Sequence, residues 1–380
     1  MRTLSLDTNL NSNATNGVAR KLEPLEKLDI QISHVSTATP RERYRQKDIP
    51  DLFSFTHPTV KKFFSYDHIQ YRHLYLPPID PVSGIPVEES YGDLIYKFQK
   101  GALEIGGKAL RDCLDSAGLE VTDVDYLCCV TSTGFTIPGL TANFIREFGL
   151  RNDCQRIDVV GMGCHAGLNG LNSVASWCAI NPGKVAILLC VEICSAIYSI
   201  DDTPRTAIVN SLFGDGAVAC LVGDHASRLG QQASPKILGF ESQLIPSHWE
   251  ELRFDWDDIK KRYSFYVGKD TPAATAAVAD LPLKRLLDRF DLTQSDVSHW
   301  VVHGGGNAIL VGMQKKLGLQ DNDLRHTRSV LRDYGNVSSG SFLFSFQRLT
   351  AEGSPKRGDI GLMMTMGPGL TIELALIRWE

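Results

Sequence analysis

From Arg156 to Trp177 the chain reads Arg-Ile-Asp-Val-Val-Gly-Met-Gly-Cys-His-Ala-Gly-Leu-Asn-Gly-Leu-Asn-Ser-Val-Ala-Ser-Trp. The apolar run around Ile157, Val159 and Val160 predicts a buried strand, Gly161 and Gly163 predict a turn, and the stretch from Cys164 onward opens a helix. A comparable alternation recurs in the second half. Residues 114–130 and 287–303 align at one constant offset, 287 − 114 = 173, with Leu114/Leu287, Asp115/Asp288, Leu119/Leu292, Asp123/Asp296 and Val124/Val297 identical. Each copy reads as a helix end, a turn with Asp or Ser/Thr, and a buried strand.

The correspondence continues in order. Phe148-Gly149-Leu150 pairs with Leu317-Gly318-Leu319, residues 161–164 with 335–338, 181–189 with 356–364, and 213–221 with 366–374. The last offset, 366 − 213 = 153, is shorter, so the first half carries roughly twenty extra residues near 193–212. An ordered series of this kind predicts two similar α/β units packed about a pseudo-twofold axis, with a cleft between them. The division is a tail over 1–25, an N-terminal half over 26–234 and a C-terminal half over 235–380.

Composition adds limits rather than identity. With 380 residues, 43% hydrophobic and 22% charged, the chain is long enough for one large domain or two intimately packed ones. A net charge of -5 and a pI near 6.1 argue against a nucleic-acid surface. The nine cysteines all fall between positions 113 and 220, mostly inside apolar runs, which points to a reducing cytoplasm rather than a disulfide framework. Their spacing suggests no zinc site. The polar start lacks the apolar core of a signal peptide, and no stretch is apolar enough to span a bilayer.

Three residues carry candidate chemistry. Cys164 would sit where unpaired helix N–H groups and the helix dipole favour a thiolate. His303 ends an apolar run and is followed by Gly304, Gly305 and Gly306, an unusual place for a titratable ring. Asn336 follows Tyr334-Gly335 and can donate hydrogen bonds without titrating. The duplication would put Cys164 at the head of the central helix of the first unit and the other two at strand-end and turn positions of the second. All three would then meet in the cleft.

Gly163-Cys164-His165-Ala166-Gly167, Leu212-Phe213-Gly214-Asp215-Gly216-Ala217, His303-Gly304-Gly305-Gly306, Tyr334-Gly335-Asn336-Val337-Ser338-Ser339 and Met366-Gly367-Pro368-Gly369 are similar to the signatures of type III polyketide synthases. This is the chalcone-synthase-like family of thiolase-like condensing enzymes, and the resemblance covers about residues 30–379. It implies a duplicated αβαβα fold and a CoA-dependent, decarboxylating acyltransferase. Cys164 would be the nucleophile, ionised beside a protonated His303, while His303 and Asn336 stabilise an enolate. Phe213 and Phe265 match gating aromatics between CoA tunnel and cavity, and Thr133, Ile197 and Ser338 match cavity-lining positions. Gly305, Gly306 and Ala308 are expected to bind the CoA substrate, as is Lys62, an available substitute for a CoA-phosphate ligand that is not matched one for one. Lys61 and Arg72 are further substitutes for basic residues that hold CoA phosphates in plant members, and Gly304 stands where plant members commonly have proline. His165 is expected to turn outward, and Cys128 and Cys129 to lie in a core strand.

The resemblance also implies a homodimer, with 193–212 as a contributor to its interface, and no cofactor or metal beyond CoA thioesters. A finer likeness, in residues 128–135, 161–164, 210–216, 263–266 and 331–345, is to bacterial members that make a dihydroxyphenylacetyl-CoA from malonyl-CoA as both starter and extender. In that setting a crotonase-like helper is expected. The alternative is a synthase making alkylpyrones or resorcinols from an acyl-CoA starter.

Overall fold

The computed structural model describes residues 29–224, 234–258 and 261–380; the expected tail over 1–25 lies outside the described residues. The first half supplies β1 (Ile30–Ala38), a short ribbon of β2 (Arg43–Arg45) and β3 (Tyr71–His73), then β4 (Tyr126–Thr131), β5 (Gln155–Val160), β6 (Ala186–Glu192) and β7 (Gly216–Asp224). The second supplies β8 (Pro235–Leu244), a hairpin of β9 (Leu252–Asp257) and β10 (Arg262–Val267), then β11 (Val297–Val302), β12 (Ile360–Gly367) and β13 (Thr371–Trp379). Nine of these strands form one sheet in the order β11-β12-β13-β8-β1-β7-β6-β4-β5. It reads outward from the β1/β8 contact at Gln31 and Lys236 as two matching series. In each, the first three pairings include two antiparallel ones and the last inner pairing is parallel, β4 with β6 and β11 with β12.

Alternation along the strands builds the layers, because successive side chains point to opposite faces. Cys128, Val130, Leu188 and Cys190 from one half, and Val301, Met363, Ala375 and Ile377 from the other, pack on two central helices, Ala166–Ile180 and Ser341–Glu352. Leu127, Cys129, Ile187 and Leu189 face the outer helix Tyr91–Ala117. Val302, Leu362, Met364, Leu374 and Leu376 face the outer helices Asp280–Asp288 and Asn307–Leu317. The sequence of layers is therefore αβαβα. Each fully buried aliphatic side chain contributes about 1.5–3 kcal/mol, and the central layer draws such side chains from both halves.

The duplication extends to individual turns. Leu119 N–H donates to the Leu114 carbonyl at 3.0 Å, and Leu292 N–H to the Leu287 carbonyl at 3.1 Å. The left-handed position before each bond is Gly118 in one copy, with φ of 65°, and Asp291 in the other, with φ of 53°. Asp tolerates that conformation better than most residues. Reciprocal capping boxes follow at Glu120/Asp123 and Thr293/Asp296.

One expectation fails at this level. The strand expected to be buried before Cys164 is β5, the edge of the sheet, and it has no buried residue. Its apolar pattern recorded a surface left uncovered in one chain, not a core position. The second half has no strand to match it, since residues 329–334 lie in the helix Arg325–Tyr334. The extra segment near 193–212 is partly internal, with Thr203 and Arg205 exposed. In its helix Pro204–Leu212, residues Thr206, Ala207, Val209, Asn210 and Ser211 are buried within the chain.

Candidate active site

The turn before the first central helix depends on two glycines with positive φ, Gly161 at 84° and Gly163 at 77°. A Cβ at position 163 would also lie 2.3 Å from Pro368 Cδ, so the Gly367-Pro368 loop closes directly over the turn. Cys164 follows inside a short 3-10 turn, Gly163–His165, that feeds Ala166–Ile180. Its Sγ lies 3.6 Å from the Oγ of Ser338, which opens the matching 3-10 turn of the second half, Ser338–Gly340. The internal repeat thus meets itself at the candidate nucleophile.

Asn336 is fixed from both sides. Its backbone pairs with the Phe213 segment, Asn336 N–H donating to the Leu212 carbonyl at 2.9 Å and Gly214 N–H donating to the Asn336 carbonyl at 3.0 Å. Its Oδ1 accepts from Ser338 N–H at 2.8 Å and from the Ser341 hydroxyl at 3.3 Å. That leaves the amide Nδ2 as the end that donates. His303 leaves the end of β11 with its N–H bonded to the Met364 carbonyl at 2.8 Å. The ring is buried, its Nδ1 has no partner, and Gly305 approaches so closely that a Cβ there would sit 3.4 Å from Nε2.

Burial works against charge on both reactive groups. It pushes the Cys164 thiol up to about 12, with hydrogen bonds from Ser338 and Asn336 opposing and the charge of Glu192 reinforcing the shift. It pushes the His303 imidazole down to about 3, helped by the charge of His165. In the ligand-free site burial opposes charge on both groups, while the hydrogen bonds from Ser338 and Asn336 favour the thiolate form. Glu192 was missed in the sequence, although it ends the apolar run Leu188-Leu189-Cys190-Val191. It is fully buried and accepts from Ser132 N–H at 3.0 Å, the Thr133 hydroxyl at 2.9 Å and the Ser339 hydroxyl at 2.5 Å, while burial raises its carboxyl.

A cavity of about 470 Å³ reaches the Cys164 turn through Gly161 and Gly163. Thr133 and Ile197 line it, together with Ser132, Phe254 and Arg262. Ser338 instead contacts Cys164. Phe213 and Phe265 do not line the cavity but belong to the apolar cluster that contains Cys164, their rings edge to face at 5.6 Å. Phe265 packs in turn against Phe254, the rings tilted at 5.0 Å. Gly305 and Gly306 form the loop after His303, and Ala308 is exposed in the first turn of Asn307–Leu317. Lys62 is exposed on the short helix Pro58–Phe63.

Arg72 is a correction. It is fully buried, donating to the Tyr198 hydroxyl at 2.8 Å, to the Phe213 carbonyl at 2.9 Å and to the Asn210 carbonyl, so it cannot reach a CoA phosphate. The local sequence hid this because a basic residue in a mixed run reads as solvated. His165 is a second correction, since it is buried rather than turned outward. A Cβ at Gly367 would lie 2.6 Å from its Nδ1, which places its ring under the Gly367-Pro368 loop. Cys128 and Cys129 are buried in β4.

With this geometry in place, comparison with known proteins is decisive. Residues 92–236 match the model of the FAE1/type III polyketide synthase-like proteins, and residues 250–379 that of the chalcone and stilbene synthases, C-terminal domain. The chain is 48% identical over 351 residues to the 3,5-dihydroxyphenylacetyl-CoA synthase of Streptomyces toyocaensis, covering 92% of this chain and 90% of that one. The chain belongs to the type III polyketide synthases. A second relative of this synthase, the 3,5-dihydroxyphenylacetyl-CoA synthase of Amycolatopsis balhimycina, is 45% identical, with 94% of this chain and 97% of that one covered. Among solved structures, 1,3,6,8-tetrahydroxynaphthalene synthase from Streptomyces coelicolor superposes with a TM-score of 0.81 at 26% identity, covering 92% of this chain and 99% of that one. Type III polyketide synthases are CoA-dependent, decarboxylating acyltransferases of thiolase-like fold, and this chain is one of them. Among the described residues no helix is long and apolar enough to cross a membrane, and no cluster of three or more His, Cys, Asp or Glu could hold a metal ion.

Proposed function

We propose that this polyketide synthase makes 3,5-dihydroxyphenylacetyl-CoA, using malonyl-CoA as both starter and extender. The observation that carries the product is the likeness to the two 3,5-dihydroxyphenylacetyl-CoA synthases along nearly the whole chain. Cys164 is the nucleophile in this reading. Because burial keeps both groups neutral in the empty site, His303 takes the thiol proton as a thioester carbonyl arrives, and the sulfur attacks that carbonyl. CoA leaves as a thiolate that takes a proton from solvent, and His303 keeps the thiol proton as imidazolium.

The extender malonyl-CoA then loses CO₂, and the electron pair of the broken C–C bond moves onto its thioester oxygen. His303 and the Asn336 amide donate to that oxygen, a role worth roughly 10²–10³ in rate for each donor. The enolate carbon attacks the acyl carbonyl on Cys164, the C–S bond breaks, and Cys164 leaves as a thiolate ready to take back the lengthened chain. After the tetraketide stage the chain closes by carbon–carbon condensation and leaves as its CoA thioester. Phe213 and Phe265 act as the gate, Thr133, Ile197 and Ser338 shape the chamber, and Gly305, Gly306, Ala308 and Lys62 hold the CoA part. Every group this scheme needs comes from side chains and CoA thioesters, with no further cofactor.

The active form is a homodimer in the cytoplasm, and a crotonase-like helper assists dehydration and aromatisation. The dimer rests on the exposed apolar face beside β5, where Phe135 is 67% and Ile137 83% exposed. Phe135 and Val160 also line the cavity, so a second copy there would complete its outer wall. Incubation with malonyl-CoA alone, followed by mass spectrometry, tests the product. Dihydroxyphenylacetyl-CoA is expected; pyrones alone, or strict need for an acyl starter, would favour the alkylpyrone or resorcinol alternative.

A further inference from the structure

Two polar groups in the cavity have nothing to bond. Arg262 Nε and Ser132 Oγ are both buried without a partner, and both residues line the cavity. Arg262 opens β10, and its Nη1 makes one long hydrogen bond, 3.4 Å, to the Tyr198 carbonyl. Among the described residues no carboxylate pairs with its guanidinium. Thr133, by contrast, is already committed, its hydroxyl donating to Glu192 and accepting from Ile193 N–H at 2.9 Å. Much of the remaining wall is apolar, including Leu94, Phe98, Phe135 and Phe254.

An unpaired guanidinium N–H in such a wall is costly unless a ligand supplies the acceptor. An alkyl chain supplies none. A poly-β-keto chain carries an oxygen on every second carbon, and the CH₂ groups between them enolise, so it offers acceptors, some of them anionic, along its length. We propose that Arg262, with Ser132, binds the keto and enolate oxygens of the growing chain and so sets the fold from which it cyclises. This rests on the condensing activity proposed above and makes Arg262 a specificity-determining residue, selecting an all-malonyl chain against an alkyl one.

The test compares wild type, Arg262→Met, Arg262→Lys and Ser132→Ala with malonyl-CoA alone, measuring CO₂ release, product spectrum and thermal melting. Arg262→Met is expected to consume malonyl-CoA at a rate within about threefold of wild type while the share of the wild-type ring product falls about tenfold or more in favour of pyrones and hydrolysed chains. Arg262→Lys should restore part of that share, which a merely structural role would not produce. An unchanged product spectrum in Arg262→Met overturns the proposal. So does a folded Arg262→Met that no longer releases CO₂, which would put the guanidinium on the extender carboxylate. Should Arg262→Met not fold, Arg262→Lys and Ser132→Ala carry the same comparison. If the wild type requires an acyl starter, the proposed product fails, yet the same spectra with that starter still decide the role of Arg262.

Discussion

Cys164 and His303 are driven the same way by one cause, since burial penalises the charged form of each. A raised thiol and a lowered imidazole leave both neutral across the physiological range, and the thiolate fraction of the free enzyme grows as pH rises toward about 12. Alkylation of Cys164 by iodoacetamide, followed by mass spectrometry in the absence of substrate, is therefore expected to accelerate steadily from about pH 6 to pH 10. A plateau reached below about pH 7 would indicate a standing ion pair instead. The same reasoning explains why the helix end is not sufficient here. The dipole effect is worth at most ~2 kcal/mol, whereas complete burial can shift an ionisable group by roughly 3–5 pH units.

At the scale of elements, the site is made by two turns pressed together. Gly167, in the first turn of the helix Ala166–Ile180, has no room for a side chain because a Cβ there would lie 2.1 Å from the Ser339 carbonyl oxygen. That contact joins the nucleophile helix to the turn carrying Ser338 and thus holds Cys164 and Asn336 at a fixed separation. Gly167→Ala is expected to lower stability by about 1–3 kcal/mol, as overpacking does, because the backbone must shift. The midpoint of urea unfolding would report it, and condensation should fall along with it. A variant with wild-type midpoint and turnover would mean that the two turns are free to separate.

At the scale of the whole molecule, the described residues leave an apolar face uncovered at the β5 edge of the sheet. β5 ends the sheet with Ile157 39% and Val160 43% exposed, beside Phe135 and Ile137. The opposite end of the sheet, at β11, is instead backed by the helices of the second half, with Trp300 and Val302 buried. Charges placed on the first face, as in Phe135→Glu with Val160→Lys, are expected to convert the proposed dimer to a monomer in sedimentation velocity and to disturb product distribution, since both residues also line the cavity. An unchanged sedimentation coefficient would move the interface elsewhere.

The sequence by itself determined the duplicated α/β fold and singled out the residues of its candidate reactive centre, because these are local signals. Strand period, glycines at left-handed turns and capping boxes repeat in place, and Cys164, His303 and Asn336 each interrupt an apolar or glycine pattern that packing alone does not call for. What tertiary structure decided was environment. It made β5 an edge rather than a core strand, buried Arg72 and His165, sank Glu192 beneath the cavity and left Arg262 facing it. None of these is a property of neighbouring residues in the chain. Exposure, desolvation and hydrogen-bond satisfaction depend on which distant segments arrive around a side chain, and those same three quantities set whether Cys164 is a thiol or a thiolate.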